Sequence, residues 1–380
     1  MLQSTYIIDK GSSMLFKYGK AVTGDLFYDR TSMQKKVKQF IKAKQSFMLK
    51  GPRRYGKTSL IKHVFKDSNK QYFYTDFRKT PRLEVYNDKL IDYIYSLIGI
   101  KGALFSLRDN LMGFLRDNKT TIGIDLELFE ASIELFTKEK IPEEERLINA
   151  LDMLEKFASD LSITVYIVID EFQDVKRFNT SKDMNILEIL RGTMQHHDNV
   201  CYSFLGSHMT LMTEIFENKT SPFYNFSRKL VLDSFDIEEI IPELENAFKK
   251  VNACFDDLND LQEVLIRLNG HPANTIMVMQ NLELQLDTMD IELFRKDNID
   301  LAYNEAFEEC SDLISEYIKE INQKKHLHDV IYRMANNEPQ KLDSKSIYQK
   351  YSYLVDMGYI RKISPGKYEI IDGFLAEALK

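Results

Sequence analysis

The sequence predicts an α/β sandwich on a mostly parallel sheet, with a helical domain and a small helix–helix–hairpin module after it. Three observations carry that expectation. Ser46–Lys50 is a short apolar run that ends in Gly51 and is followed by apolar residues at helical spacing over Thr58–Phe65, which reads as strand, glycine loop and helix. Ile163–Ile169 is continuously apolar, as a strand buried on both faces of a parallel sheet is. Strand-like and helix-like segments alternate as far as Leu232, and helix-like segments alone follow to Lys319.

The elements follow in order. Tyr72–Asp76 is aromatic and β-branched, a strand with a carboxylate at its end. Leu83–Ile98 has helical spacing. Between Gly99 and Lys140 the pattern is broken by Gly102, Gly113 and Gly123, and Thr121–Asp125 with Ala131–Phe136 read as a small hairpin. Pro142 and three glutamates mark a helix start, with proline in the first turn and negative charge at the positive end of the dipole. That helix should run to about Asp160. Cys201–Leu205 and Lys229–Leu232 are two further strands. Helices are expected over Asp236–Val251, Asp257–Leu268, Ala273–Leu286 and Ile299–Lys319. Two more follow at Leu327–Met334 and Ser344–Met357, the second stopped by Gly358. Tyr359–Ile363 and Tyr368–Ile371 flank Ser364-Pro365-Gly366-Lys367, a type II turn signature. Helix, helix and hairpin together outline a winged helix-turn-helix. The expected domains are 1–232, 233–323 and 324–380.

At 380 residues the chain suits two or three domains of ~100–200 residues. Its three cysteines are far apart, so no disulfide framework is expected and a reducing cytoplasm is. Nothing approaches the ~20 apolar residues of a spanning helix, and Met1–Phe16 lacks the pattern of a signal peptide, so no membrane partner is expected. The net charge of −7 argues against a chain given over mainly to nucleic acid. The average hides a division, however. Residues 1–80 carry 18 basic and 5 acidic side chains, residues 233–323 carry 6 and 22, and residues 324–380 carry 10 and 7. A basic end followed by an acidic helical stretch suits a polyanion between complementary faces.

Gly51-Pro52-Arg53-Arg54-Tyr55-Gly56-Lys57-Thr58 fits G-x-x-x-x-G-K-[ST], with the strand before and the helix after that the motif requires. Its glycines let successive backbone N–H groups point inward at phosphate oxygens, and the following helix aims its positive end at the same anion. Lys57 should reach the β- and γ-phosphates and the Thr58 hydroxyl should bind Mg²⁺. Residues 51–58 with Ser59 are the expected ATP- or ADP-binding residues. The apolar strand ending at Ile169 delivers Asp170 and Glu171 to the sheet's C-terminal edge, where ligands of open α/β folds bind. Asp170 should hold Mg²⁺, and Glu171 should act as general base on the attacking water. A kinase shares the loop, but adjacent acids on a buried strand suit water activation better. Ser207 closes the next strand. It either bonds the γ-phosphate or the water, or is a small residue at a turn. Arg228 either contacts the γ-phosphate, in its own subunit or a neighbour's, or is a solvated arginine.

GPRRYGKTSL, VIDEFQ, the Gly206-Ser207 turn, SPFYNFSR and NGHP together resemble the archaeal-type ATPase family, P-loop ATPases of the AAA+/STAND grouping. The resemblance runs from Phe27-Tyr28-Asp29-Arg30 to the C-terminal module. It implies a RecA-like, AAA+-type parallel-sheet core, an all-helical lid and a winged helix, with ATP hydrolysis used for conformational switching. It also implies that Gly270-His271-Pro272 lies near the adenine, although Gly and Pro end helices in any case. Arg267 is the candidate lid arginine.

From Lys341 to Lys367 there are six basic residues against Asp343 and Asp356. The second helix of such a module can enter a major groove, which makes Lys345, Gln349, Lys350 and Lys367 candidate contacts to double-stranded DNA. The plainer reading of the same face is a solvated charged surface on a module that packs against the ATPase or a protein partner, including a second copy of the chain.

Overall fold

The computed structural model describes residues 14–28, 30–97, 141–179 and 184–380. The hairpin expected at Thr121–Asp125 and Ala131–Phe136 lies outside them. The chain forms two compact units among these residues: 31–233 with 352–358, and 14–30 with 234–351 and 359–380.

The apolar runs of the first unit become strands of one parallel sheet. These are β1 (Phe47–Lys50), β2 (Phe73–Asp76), β3 (Val165–Asp170), β4 (Val200–Gly206) and β5 (Arg228–Val231), in the order β2-β3-β4-β1-β5. All six residues of β3 and all seven of β4 are buried, which is why neither alternates in polarity. Register sets the active edge. Lys50 pairs with Gly206, Asp76 with Asp170 and Ile169 with Phe204, so four strands end within one residue of one another. Helices α1 (Thr31–Lys42), α2 (Lys57–Asp67), α3 (Leu83–Leu97), α4 (Glu143–Asp160), α5 (Ile186–Met194) and α6 (Met209–Glu217) complete the unit. The helix from Glu143 starts after Pro142 with three glutamates in its first turn, where the sequence places it. Phe172 opens a 3₁₀ helix (Phe172–Phe178) and is fully buried against Phe77, Phe204, Phe216 and Phe223, which anchors the chain just beyond β3.

The second unit holds the lid helices α7 (Ile237–Lys249), α8 (Leu258–Arg267), α9 (Pro272–Met289), α10 (Lys296–Glu309) and α11 (Ser311–Asn322). Asp236, Asp257 and His271 cap three of them with side-chain acceptors. One helix was expected over Ile299–Lys319. The structure has two, because the ladder tightens at buried Cys310, whose N–H is shared between Ala306 O and Phe307 O at 3.2 Å each. The lid also contains a two-residue parallel contact, β6 (Cys254–Phe255) with β7 (Leu293–Phe294), too short to leave a periodic signal. Residues 14–28 lie on this unit. Glu283 accepts from Leu15 N at 2.6 Å and Phe16 N at 3.0 Å, and buried Phe16 stacks on Tyr28.

The winged-helix-like element comprises α12 (Leu327–Ala335), α13 (Ser344–Asp356) and the antiparallel pair β8 (Ile360–Ser364) and β9 (Lys367–Ile370). Gly366 has φ 79°, as the third residue of a type II turn requires. A short helix not expected from sequence, α14 (Gly373–Ala378), ends the chain and is capped by Asp372. This element is bonded to the lid. Asn269 Nδ2 donates to Ile370 O at 2.8 Å, and buried Asn274 Nδ2 donates to Asp372 Oδ1 at 2.7 Å. Gly373 sits so close to α8 that a Cβ would meet Arg267 O at 2.3 Å. Among the described residues no helix is long and apolar enough to cross a membrane.

Candidate active site

The glycine loop wraps because two of its residues take left-handed backbone angles, Arg54 at φ 64° and Gly56 at φ 82°. A side chain at position 51 is excluded, since a Cβ there would meet Leu232 O at 2.7 Å. Arg53 and Arg54 are exposed, Pro52 and Tyr55 are buried, and Thr58 and Ser59 are half-buried at the start of α2. Lys57 is buried, and its Nζ donates to Gly51 O and Pro52 O, both at 2.8 Å. The ammonium is thus folded back on carbonyls of its own loop. Burial pulls it down to about 8, although the charges of Glu171 and Asp170 act the other way.

Asp170 is the hub of the next set. Its Oδ2 accepts from Thr58 Oγ1 at 2.6 Å and from Tyr74 OH at 2.8 Å, while Oδ1 accepts from Glu171 N at 3.0 Å. Burial and the Asp170 charge push the Tyr74 phenol well above its ordinary range, so it stays a donor. Glu171 takes φ 51°, which turns its side chain out of the strand direction at the end of β3. Its Oε2 accepts from Ser207 Oγ at 2.6 Å, Arg78 Nη2 at 3.3 Å and Gln173 Nε2. Burial raises the Glu171 carboxyl, but the Ser207 and Gln173 hydrogen bonds and the Lys57 and Arg78 charges outweigh it, leaving it below its ordinary value.

Ser207 therefore comes to Glu171, as its position at the end of β4 allows. The helix after it is held from the strand before the glycine loop. Buried Lys50 Nζ lies 2.5 Å from both Thr213 Oγ1 and Glu217 Oε1, and Lys229 reaches the other Glu217 oxygen at 2.6 Å. Arg228 is not brought to the loop of its own chain. It is exposed and pairs with Phe47, three residues and about 10 Å of strand from the edge where the loop begins. Pro272 opens α9 in the second unit, after a turn in which Gly270 has φ 60° and no room for a Cβ, which would meet Phe235 O at 2.6 Å. Arg267 is engaged within the same unit, its guanidinium 3.8 Å from the centroid of the Tyr303 ring, with Asp300 and Glu377 beside it. Lys345 and Gln349 are exposed on α13, Lys350 is half-buried, and Lys367 is exposed at the hairpin turn.

Three residues of the site were not singled out by sequence reasoning: Tyr74, Arg78 and Gln173. The first two arrive through the pairing of β2 with β3, a long-range register that no local pattern reveals. Gln173 stands two places after Glu171, so its proximity was there to be read.

A parallel sheet that sets a glycine loop of the P-loop pattern beside an Asp-Glu pair at one edge is the architecture of a P-loop ATPase domain. The described family of ATPase domains found predominantly in Archaea matches residues 27–278, about two thirds of the chain, and the chain belongs to that family. It is an ATPase. A Walker-type ATPase of Pyrococcus abyssi shares the fold over 96% of this chain and 99% of that one, with 17% identity and a TM-score of 0.69. The ORC2 protein of Aeropyrum pernix, in its ADPNP–ADP complexes, covers 96% of each chain at 11% identity with a TM-score of 0.57. No curated protein matches the chain significantly.

Proposed function

We propose that the chain is an ATP-driven conformational switch. ATP binds with Mg²⁺ at the glycine loop, Glu171 serves as base in its hydrolysis, and the change passes to the winged-helix-like element. One observation carries this reading: Thr58 and Asp170 lie 2.6 Å apart beside Lys57, with Glu171 adjacent. A hydroxyl and a carboxylate are hard oxygen donors that suit Mg²⁺, an ion that keeps several of its waters and binds through one or two carboxylates and substrate phosphates. Bound there, it would offset charge developing on the phosphates.

The chain's own residues supply the rest. Lys57 exchanges its bonds to Gly51 O and Pro52 O for phosphate oxygens, and the loop N–H groups close around them. Glu171 takes a proton from water as the water oxygen bonds to the γ-phosphorus and the bond to ADP breaks, releasing ADP and phosphate. Ser207, which donates to Glu171, turns toward the γ-phosphate when ATP binds. Because Asn269 and Asn274 bond the lid to Ile370 and Asp372, a displacement of the Gly270–Pro272 turn would carry the hairpin with it. Lys57→Ala should weaken binding of a fluorescent ATP analogue at least a hundredfold, as loss of a charged contact in a water-poor site does. Unaltered affinity in that variant would remove the loop from the nucleotide site.

A second reading has its own observation. Lys345, Tyr348, Gln349 and Ser352 are exposed at successive turns of α13, with Lys367 exposed at the hairpin. A basic, polar helix face beside a basic hairpin suits the phosphates and groove of double-stranded DNA. On that reading the switch gates DNA binding.

A further inference from the structure

The Glu171 carboxylate is held unevenly. Three donors, Ser207 Oγ, Arg78 Nη2 and Gln173 Nε2, converge on Oε2, and among the described residues none reaches Oε1. A carboxylate pinned through one oxygen presents the other in a fixed direction. The three donors differ in what else they can do. Ser207 stands at the strand end facing the phosphate loop. Arg78 also binds Asp174 at 3.3 Å and is 38% exposed. Gln173 is 5% exposed and donates to Glu171.

The surroundings of Gln173 are built to hold it. Buried Phe172, packed among four other phenylalanines, fixes the backbone beside it. Its side chain lies over Gly206, where a Cβ would meet Met212 Sδ at 2.3 Å and Gln173 Oε1 at 2.6 Å, so the bare backbone there leaves room for both side chains. Oε1 has no hydrogen-bond partner and is buried, an expensive arrangement for an amide. Turned over, the amide would set that oxygen against the carboxylate, so the N–H must face Glu171. A buried acceptor is left unmatched so that a buried donor can be kept on the base.

We propose that Gln173 is a positioning residue for hydrolysis: it holds Glu171 through Oε2 so that Oε1 faces the attacking water, and it keeps that hold when Ser207 and Arg78 turn to the phosphates. The inference rests on Glu171 as the base. Gln173→Met keeps the length and loses the N–H, and Gln173→Asn keeps the amide but falls short of Glu171. Each should lower kcat about tenfold to a hundredfold, the usual effect of removing a group that orients a reacting one. KM for ATP and the affinity for a fluorescent ATP analogue should stay within about twofold. In a Glu171→Gln background Gln173→Met should cause no further loss, because the group it positions is gone. A wild-type kcat in both Gln173 variants, a rise in KM that accounts for the whole loss, or losses that multiply in the double variant would each overturn the proposal. Full turnover in Glu171→Gln alone would instead remove the base itself, which separates the two failures.

Discussion

The glycine-loop edge of the core and the exposed face of the winged-helix-like element are both polar, and they differ in how their polar groups are spent. At the core edge almost every side chain is committed to a neighbour: Lys57 to Gly51 and Pro52, Thr58 and Tyr74 to Asp170, Ser207, Gln173 and Arg78 to Glu171. On α13 and the hairpin, Lys345, Gln349 and Lys367 stand exposed, and Arg361 is turned aside to Glu369 and Ser234. The bonds on Asp170 hold that carboxylate in place, and Lys57 and Ser207 have bonds they can exchange for phosphate oxygens. An exposed lysine face commits to nothing until a partner arrives. The core thus states its reaction, and the C-terminal face states only the charge of what it could meet.

The comparison can be pressed through pH first. Lys57, held at about 8 by burial, loses its proton in the free protein above that pH and regains it against bound phosphates. ATP affinity should therefore fall above pH 8, by up to about tenfold per pH unit, in a titration followed by analogue fluorescence. In the free protein the same lysine binds fewer protons than in the unfolded chain between about 8 and its ordinary value, so its part in stability should grow as pH rises through that range.

Next in size is Gly373→Ala. Its new Cβ would meet the Arg267 carbonyl and Leu268 Cα, both backbone. The strain should cost about 1–3 kcal/mol in the lid and its hairpin, measured by urea unfolding. ATP affinity at the glycine loop should be unaltered, and a matching loss there would mean that the two regions do not respond independently.

The smallest effect concerns DNA. Binding to a duplex, measured against salt with and without ATP, should weaken about severalfold in Lys345→Ala or Lys367→Ala, and each change should reduce the salt slope by about one. No binding at low salt would remove the DNA reading.

The elements that follow local rules were legible. The glycine loop, the buried run before Asp170, the Pro142 helix start and the Pro-Gly hairpin turn each lie within a few residues of their cause. What the sequence hid depends on distance or brevity. Tyr74 and Arg78 reach the acids through β2–β3 register, Cys254–Phe255 and Gly373–Ala378 are too short for a periodic signal, and the break at Cys310 comes from a shared N–H inside an otherwise continuous pattern. Arg228 reads from sequence either as a phosphate contact, in its own subunit or a neighbour's, or as a solvated arginine, and in its own chain the strand register puts it exposed at the end of β5 away from the glycine loop.

The most direct test follows Glu171→Gln through ATP binding and phosphate release in parallel. The account predicts ATP bound as tightly as by the wild type and steady-state phosphate release lowered by about 10²–10⁴, the usual share of a general base. Phosphate release at the wild-type rate, with binding intact, would contradict it.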